Sequence, residues 1–125
     1  MVAKMFSAVC VVFLFTLPAY SQAQDGTYVV KVPSRTPFVS TVTIRKGKVV
    51  DFTMERNEIL KKAAAIGGKS IVVEAEFLGR CGNGSSGRMT IDVKGEDLIF
   101  RQWKGYCAEK NANFNVRDKI KMAKQ

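Results

Sequence analysis

The side chains able to do acid–base chemistry are few, because the chain contains no histidine. This excludes a His-activated Ser or Cys nucleophile and His-ligated zinc. Glu74 and Glu76 are the most suggestive remaining pair, since they share one face of a predicted strand about 7 Å apart, near the carboxylate spacing of glycoside hydrolases. A solvated strand face opposed by lysines is the favoured interpretation, for Asp51 and Glu55 as well. We therefore predict no catalytic residue and no enzyme, with a carboxylate-based hydrolase as the third-ranked hypothesis.

Two cysteines, Cys81 and Cys107, lie in the body of the chain, and an even pair in an exported protein is typical of a disulfide. The loop of about 26 residues that they close is worth roughly 3–4 kcal/mol in the chain-entropy model. Redox-active dithiols usually stand two residues apart, and a metal site would need further soft or imidazole ligands. The pair therefore predicts a structural disulfide, with no metal and no cofactor.

The most distinctive stretch is the glycine-rich segment from Gly79 to Arg88. Gly82 and Gly84 suggest a backbone nest for an anion or an acidic partner, with Arg80 and Arg88 as forked donors. No Gly-Lys-Ser/Thr follows, and the segment leads into a strand rather than a helix. We favour a wide hairpin loop, Gly79–Gly87, whose glycines take positive φ and whose base is held by the disulfide.

An aromatic patch near the second cysteine is a further candidate site. Trp103, Tyr106 and Phe114 flank Lys104 and Arg101 and could receive an apolar or planar ligand with cation–π support. The alternative is a tryptophan packed on the disulfide as ordinary core, and this alternative is favoured.

Residues 1–23 have the features of a secretory signal peptide. Lys4 precedes an almost wholly apolar run, Met5–Leu17, and Pro18 and Ser21-Gln22-Ala23 follow. Thirteen helical residues span roughly 20 Å, less than the ~30 Å of a bilayer core, so no transmembrane anchor is predicted. We expect cleavage after Ala23 and a periplasmic or extracellular protein.

Alternating apolar residues predict strands in most of the remaining chain, residues 24–125. The predicted strands are Thr27–Val32, Phe38–Arg45, Val49–Glu55, Ser70–Leu78, Arg88–Val93, Leu98–Trp103 and Ala112–Val116. One short helix, Asn57–Ile66, is predicted from a capping Asn57, an apolar face that includes Leu60, and a Gly67-Gly68 stop. The fold class is thus mainly β: one domain, a small antiparallel β-barrel or sandwich of six to seven strands. In Leu98–Trp103 neither face is purely apolar, which suggests a partly polar wall.

The excess of basic over acidic residues indicates which classes of binding partner the protein favours. The chain has 20 basic and 11 acidic residues, and removal of the leader leaves a formal charge of +8. Residues 117–125 form a basic C-terminal tail that is expected to fray. Nucleic acid is disfavoured because export separates the protein from it. An acidic protein, an anionic envelope surface or a polyanionic sugar fits better.

The opening of the domain resembles several small exported β-domains, among them FMN-binding domains of membrane-associated redox proteins. The resemblance is carried by Asp25-Gly26-Thr27-Tyr28, Val42-Thr43-Ile44 and the hairpin 46–52. The chain lacks a Ser-Gly-Ala-Thr flavin-attachment segment, so no residue role is transferred and no family is assigned. The leading hypothesis is an exported binding module, and the second is an inhibitor or interaction protein that presents the Gly79–Gly87 loop to an acidic partner.

Overall fold

The structure, a computed structural model, describes residues 25–55 and 57–125, with every side chain in these ranges except that of Arg80. The predicted leader lies outside the described residues. The strands are β1 (Gly26–Val32), β2 (Phe38–Arg45), β3 (Lys48–Met54), β4 (Ile59–Gly67), β5 (Ser70–Phe77), β6 (Ser85–Lys94), β7 (Asp97–Cys107), β8 (Ala112–Lys121) and β9 (Ala123–Lys124). A single 3-10 turn, Gly79–Cys81, is the only helical element in this part of the chain.

The strands form two antiparallel sheets. Sheet I has the order β3-β2-β1-β9, and sheet II has the order β4-β5-β6-β7-β8. Within each sheet, neighbours in sequence are joined by hairpins, because two-residue turns such as Lys46-Gly47 reverse the chain locally. Met122 alone separates β8 from β9, so the chain passes from sheet II to sheet I within one residue. The predicted class, mainly β and antiparallel, is confirmed.

One hydrophobic cluster lies between the sheets, and its members come from the alternating positions of both. The alternating apolar positions of β2, β5 and β6 are buried except for Phe38, which is half-buried, while Glu74 and Glu76 on β5 are exposed. The fully buried large side chains include Tyr28, Phe52, Phe100, Ile44, Ile71, Met89, Ile91 and Leu98. Period-2 patterning therefore identified most of the core.

The predicted helix Asn57–Ile66 is wrong, since these residues form most of β4. Lysine and alanine favour a helix locally by only a few tenths of a kcal/mol per residue. As a strand, β4 pairs with β5 from Ile59 to Gly67 and covers the edge of β5 that a helix would leave unpaired. Tertiary pairing thus outweighs the local preference.

Three irregular positions reset the alternation of their strands. Val50, Leu60 and Arg101 each fall at a register shift, where one strand has an extra residue against its partner. Val50 and Leu60 are accordingly the exposed large hydrophobic residues of the described chain, at 50% and 54% exposure. A bulge reverses the direction of every later side chain, so alternation read across it assigns the wrong face.

The bulge at Arg101 explains the mixed faces of the strand Leu98–Trp103. Leu98 and Phe100 face the core before the bulge, and Trp103 faces the core after it, with 4% exposure. A partly polar interior wall is therefore not needed to account for this strand.

The C-terminal segment 117–125 is not a frayed tail. Residues up to Lys121 belong to β8, and Ala123–Lys124 pair with Tyr28 and Val29 of β1. The backbone N–H of Gln125 donates to the Thr27 carbonyl at 2.8 Å, and Met122 is buried. The basic charge of this segment suggested that it would be solvated and frayed. It is ordered instead, because its backbone pairs with β1 and Met122 is buried. With β4 and β9 added, nine strands replace the predicted six to seven among the described residues.

Candidate binding groove

A groove of about 660 Å³ crosses the outer face of sheet II. Its lining includes residues from every strand of that sheet: Lys61, Ala63, Glu74, Ala75, Glu76, Ser86, Gly87, Lys104, Gly105, Tyr106, Asn113, Phe114 and Asn115. Four strand spacings of about 4.8 Å make it about 19 Å long. The groove is therefore large enough for a segment of an extended ligand.

The floor of the groove is backbone, because the residues between its two rows of outward side chains, Ala75, Gly87 and Gly105, face the core. Gly87 of β6 lies opposite Gly105 of β7. On the inner face the Trp103 indole packs directly under both, so a Cβ on Gly87 would overlap the ring, and one on Gly105 would lie 2.9 Å from Nε1. These glycines are required by the close approach of the tryptophan on the inner face, and only their backbone is presented to the groove.

Two rows of outward side chains form the walls. Glu76, Ser86, Tyr106 and Asn113 make up the first row, and Glu74, Arg88, Lys104 and Asn115 make up the second. The rows stand two residues apart along the strands, or about 7 Å. Each row offers both hydrogen-bond donors and acceptors across four strands, so the walls can contact a polar ligand along its length.

Charges in the groove are mostly paired. Arg88 Nε and Nη2 donate to Glu74 Oε2 at 3.2 and 2.9 Å, and Lys61 Nζ lies 3.8 Å from Glu76 Oε2. Lys104 is exposed and forms no ion pair with any described residue. A single ammonium group that is not paired with a carboxylate therefore stands on the groove wall, on β7 beside the edge strand β8.

Glu74 and Glu76 are exposed, and each contacts a basic side chain, so neither occupies an enclosed pocket. Asp51 lies on sheet I, where it contacts β4. Lys62 Nζ donates to Asp51 Oδ1 at 2.8 Å, and this hydrogen bond lowers the pKa of the Asp51 carboxyl. Glu76 and Asp51 thus pair with lysines of β4 and help to hold it in place, while Glu74 pairs with β6.

The structure contains the predicted disulfide between Cys81 and Cys107, whose Cα atoms are 4.8 Å apart. Ser85 strengthens the same region, because its buried hydroxyl donates to the Cys81 carbonyl and accepts from the Ala108 N–H, both at 2.9 Å. The Glu109 N–H also donates to the Cys81 carbonyl at 2.9 Å. The start of β6 and the β7–β8 turn are thus fixed to the 3-10 turn by a covalent bond and three hydrogen bonds.

The glycine-rich segment is shorter as a loop than predicted. Ser85–Gly87 already belongs to β6, and Gly79–Cys81 forms the 3-10 turn. Gly82 and Gly84 do have positive φ, 74° and 90°. The amides of Cys81 and Gly82 both donate to the Leu78 carbonyl, so these two donors are not available to an anion.

The two candidate anion-binding arginines, Arg80 and Arg88, are not placed together at the loop tip. Arg88 lies on the outer face of β6 in its ion pair with Glu74 rather than at the loop tip. The side chain of Arg80 lies outside the described part of the structure. Of the two arginines predicted to flank a glycine nest, the one whose side chain is described, Arg88, lies away from the loop tip and pairs with Glu74.

The candidate aromatic patch is not brought together. Trp103 faces the core and packs edge-on against Phe38, with ring centroids 5.5 Å apart, and also against Phe77. Tyr106, an odd number of residues further along β7, faces outward and donates from its hydroxyl to Asn111 Oδ1 at 2.8 Å. Phe114 lies opposite Gly105 at the groove end. Trp103 is core, as the favoured alternative had it.

The groove residues Ser86, Asn113 and Asn115 were not among the sequence candidates. Turn 94–97 fixes the pairing of β6 with β7, and counting back from it sets Gly87 opposite Lys104. The bulge at Arg101 shifts this pairing by one residue and aligns Gly87 with Gly105. Both glycines lie just outside the predicted strands Arg88–Val93 and Leu98–Trp103, and their pairing also depends on a bulge that alternation does not locate.

No protein-family model matches the chain, and neither any curated protein nor any solved structure matches it. Within 25–55 and 57–125, no helix is long and apolar enough to cross a membrane. The same residues contain no group of three or more Cys, Asp or Glu side chains placed to hold a metal ion.

Proposed function

We propose that the protein is an exported, non-enzymatic binding module that holds a segment of an acidic saccharide in the groove of sheet II. The observation that carries this proposal is the groove itself: a trough about 19 Å long with a backbone floor, polar walls and one unpaired cation, Lys104. A ligand with many hydroxyl groups and an occasional carboxylate matches this lining in both polarity and charge.

The wall side chains favour a saccharide over an apolar ligand. Ser86, Tyr106, Asn113 and Asn115 provide hydroxyl and amide groups that donate and accept, which suits the hydroxyls of a sugar. The groove is open and its aromatic contribution is small, so an apolar molecule would remain largely in water. An extended chain can instead contact both rows while its solvent side stays hydrated.

Binding without hydrolysis is supported by the state of the carboxylates. A glycosidase requires one carboxyl group that is held protonated by its surroundings, as well as a second carboxylate at a defined distance. Glu74 and Glu76 are exposed and paired with Arg88 and Lys61. If the purified protein hydrolysed a saccharide panel and Glu76→Gln abolished that hydrolysis, the non-enzymatic part of the proposal would be wrong.

The scaffold supports a preformed site. The groove lies on paired strands, which hold side chains more rigidly than loops do. We take the scaffold to be a sandwich, because the shared cluster lies between sheets I and II and because no ladder joins β3 to β4 among the described residues. The one isolated bridge nearby joins Met54 to Asn57, which precedes β4. The disulfide is compatible with export, since such bonds persist in oxidising compartments.

Titration calorimetry with oligosaccharides tests the proposal. The wild-type protein is expected to bind uronic-acid oligomers more tightly than neutral oligomers of equal length. Lys104→Gln should reduce that preference about tenfold, since one charge-assisted hydrogen bond is lost. Tyr106→Ala should weaken both classes, and Lys110→Gln, in the β7–β8 turn outside the groove lining, serves as the matched control.

Two results would contradict the proposal. The first is an absence of binding to either saccharide class by folded wild-type protein. The second is an unchanged acidic preference in Lys104→Gln, which would show that the unpaired ammonium does not contact the ligand.

A further inference from the structure

Positive charge is concentrated at one end of the two sheets, which we name the hairpin end: residues 25–26, 45–48, 67–70, 94–97 and 121–125. The strand directions bring the β2–β3, β4–β5 and β6–β7 turns to this end, together with the finish of β8. Its exposed basic side chains are Arg45, Lys46, Lys48, Lys69, Lys94, Lys121 and Lys124, and its acidic ones are Asp25, Glu96 and Asp97.

Contacts join the two sheets at this end. The Met122 N–H donates to the Leu98 carbonyl of sheet II at 2.8 Å, and three residues later the Gln125 N–H donates to the Thr27 carbonyl of sheet I, also at 2.8 Å. Asp25 of sheet I and Glu96 and Asp97 of sheet II all raise the pKa of Tyr28, after the larger effect of its burial, so their charges lie close to one side chain. The turns of both sheets therefore make up one surface.

The acidic groups of the hairpin end are engaged locally. Asp25 Oδ1 accepts from the Lys46 backbone N–H at 2.7 Å, and Asp97 lies 3.5 Å from Lys121 Nζ. Arg45, Lys48, Lys69 and Lys94 form no ion pair with any described residue. Each of the three turns thus presents at least one basic side chain that is not neutralised within the described chain.

The opposite end provides a comparison. We name it the cystine end: residues 31–38, 55–58, 78–84 and 107–112. Its described basic side chains, Lys31, Arg35 and Lys110, are equalled in number by the acidic Glu55, Glu58 and Glu109. Arg56 and Arg80 also belong to these segments, outside the described side chains. Of the two ends, only the hairpin end therefore has an excess of basic over acidic groups among its described side chains.

We propose that the hairpin end docks on an anionic phospholipid surface, with the strands directed away from the bilayer. Its charges are spread across the turns of two sheets about 10 Å apart, so they face a plane rather than follow a line. All but Arg45 are lysines, whose compact charges on flexible stems suit mobile headgroups better than fixed bidentate recognition. Lysines near an anionic bilayer add attraction individually.

This surface is separate from the groove and does not depend on the proposed saccharide. The groove lies on the outer face of sheet II and contains none of the seven basic residues of the hairpin end. A failure of saccharide binding would therefore leave membrane docking untouched, and a failure of docking would leave the groove untouched.

Vesicle co-sedimentation of protein expressed as the full chain and purified after export tests the proposal. Phosphatidylcholine vesicles with and without phosphatidylglycerol are compared at low and physiological salt. We expect binding that requires phosphatidylglycerol and weakens with salt. The triple variant K48Q/K69Q/K94Q, with one change in each turn, should lose about a hundredfold in affinity.

The matched control is K31Q/R35Q/K110Q, which removes the same charge from the cystine end. It should lose less than about fivefold, and the circular dichroism spectrum of both variants should match the wild type. Equal losses in the two triples would overturn the proposal, because net charge alone would then explain binding. It would also be overturned if anionic vesicles were not bound, or if a soluble sulfated polysaccharide bound through the same lysines while vesicles did not.

Discussion

The cystine end and the hairpin end are stabilised by different means. At the cystine end, the Cys81–Cys107 disulfide and the two hydrogen bonds of the Ser85 hydroxyl fasten the segments to one another. At the hairpin end, Gly47, Gly68 and Gly95 take positive φ in three short turns. No disulfide lies among the described residues there, and each turn is closed by its own strands.

The difference follows from the antiparallel topology and from turn length. Short turns need only one or two residues at left-handed positions, here the three glycines and Lys46, and leave their side chains free for other interactions. The longer segments between β5 and β6 and between β7 and β8 cannot close on themselves so tightly, so a covalent bond and a buried serine hold them. We infer that the cystine end serves stability, while the hairpin end is free to serve recognition.

The largest expected effect is loss of the disulfide. Replacing Cys81 and Cys107 together by alanine should lower the free energy of unfolding by about 3–4 kcal/mol, because the unfolded chain regains the freedom of a loop of about 26 residues. Urea denaturation monitored by circular dichroism measures this directly. Reduction of the wild-type protein by dithiothreitol should give a similar decrease, and an unchanged midpoint in both experiments would contradict a stabilising role for this end.

The second effect concerns the packing of Trp103. Gly87→Ala should destabilise the protein by about 1–3 kcal/mol, since the added Cβ overlaps the Trp103 ring. Gly67→Ala at the hairpin end is the matched control, because a Cβ there meets no atom within 4 Å and φ is not positive. The control should be neutral or slightly stabilising. Equal thermal midpoints for the two variants would contradict the close approach of tryptophan to the groove floor.

A smaller effect is expected at the hairpin end at alkaline pH. Burial, and then the negative charges of Asp25, Glu96 and Asp97, raise the pKa of Tyr28 above its ordinary value. The unfolded chain therefore loses the phenolic proton first, and stability is lost as pH rises from the ordinary tyrosine pKa through the raised one. Near-UV absorbance should show one late-titrating tyrosine in the wild type, and none in Tyr28→Phe if the assignment is correct.

The smallest effect is expected between the two ends, where Asp51 contacts Lys62. The hydrogen bond from Lys62 lowers the pKa of Asp51, so its contribution is present above the ordinary aspartate pKa and is lost as pH falls through the lowered value. Because this pair is exposed, Asp51→Asn should cost at most about 1 kcal/mol at neutral pH. A difference from the wild type that persisted at a pH below both pKa values would assign the effect to something other than the ion pair.

The strands that the sequence predicted correctly share one property, which is an alternation that runs without interruption. Phe38–Arg45 was predicted with its observed bounds, and the inward sets of β5 and β6 are buried. The wrong secondary-structure predictions occur where a strand contains a bulge or where the residues have a local preference for helix. In β4 the extra residue, Leu60, allows Ile59 and Ile66 to face the core together, and their spacing of seven is also that of a helix face.

The candidate sites likewise include one that the sequence predicted, the disulfide, and one that it did not, the groove. Cys81 and Cys107 could be paired from the sequence, because Cys10 lies in the predicted leader and the two remaining cysteines allow one intramolecular bridge. The groove could not be predicted, because it depends on which residues of adjacent strands stand opposite each other. That pairing is set by the bulge at Arg101, and the gain that maintains the bulge is burial of Trp103 against Phe38 and Phe77.

The amino-acid sequence alone determined the mainly β, antiparallel character of this protein, most of its core and its disulfide partners, because each depends on residue types and on spacing within one segment. The tertiary structure decided the strand β4, the bulges, the groove with Lys104 on its wall and the gathering of lysine-bearing turns at one end. These features depend on the register and direction of segments distant in sequence, which are set by which arrangement buries the most apolar surface with its backbone hydrogen bonds satisfied.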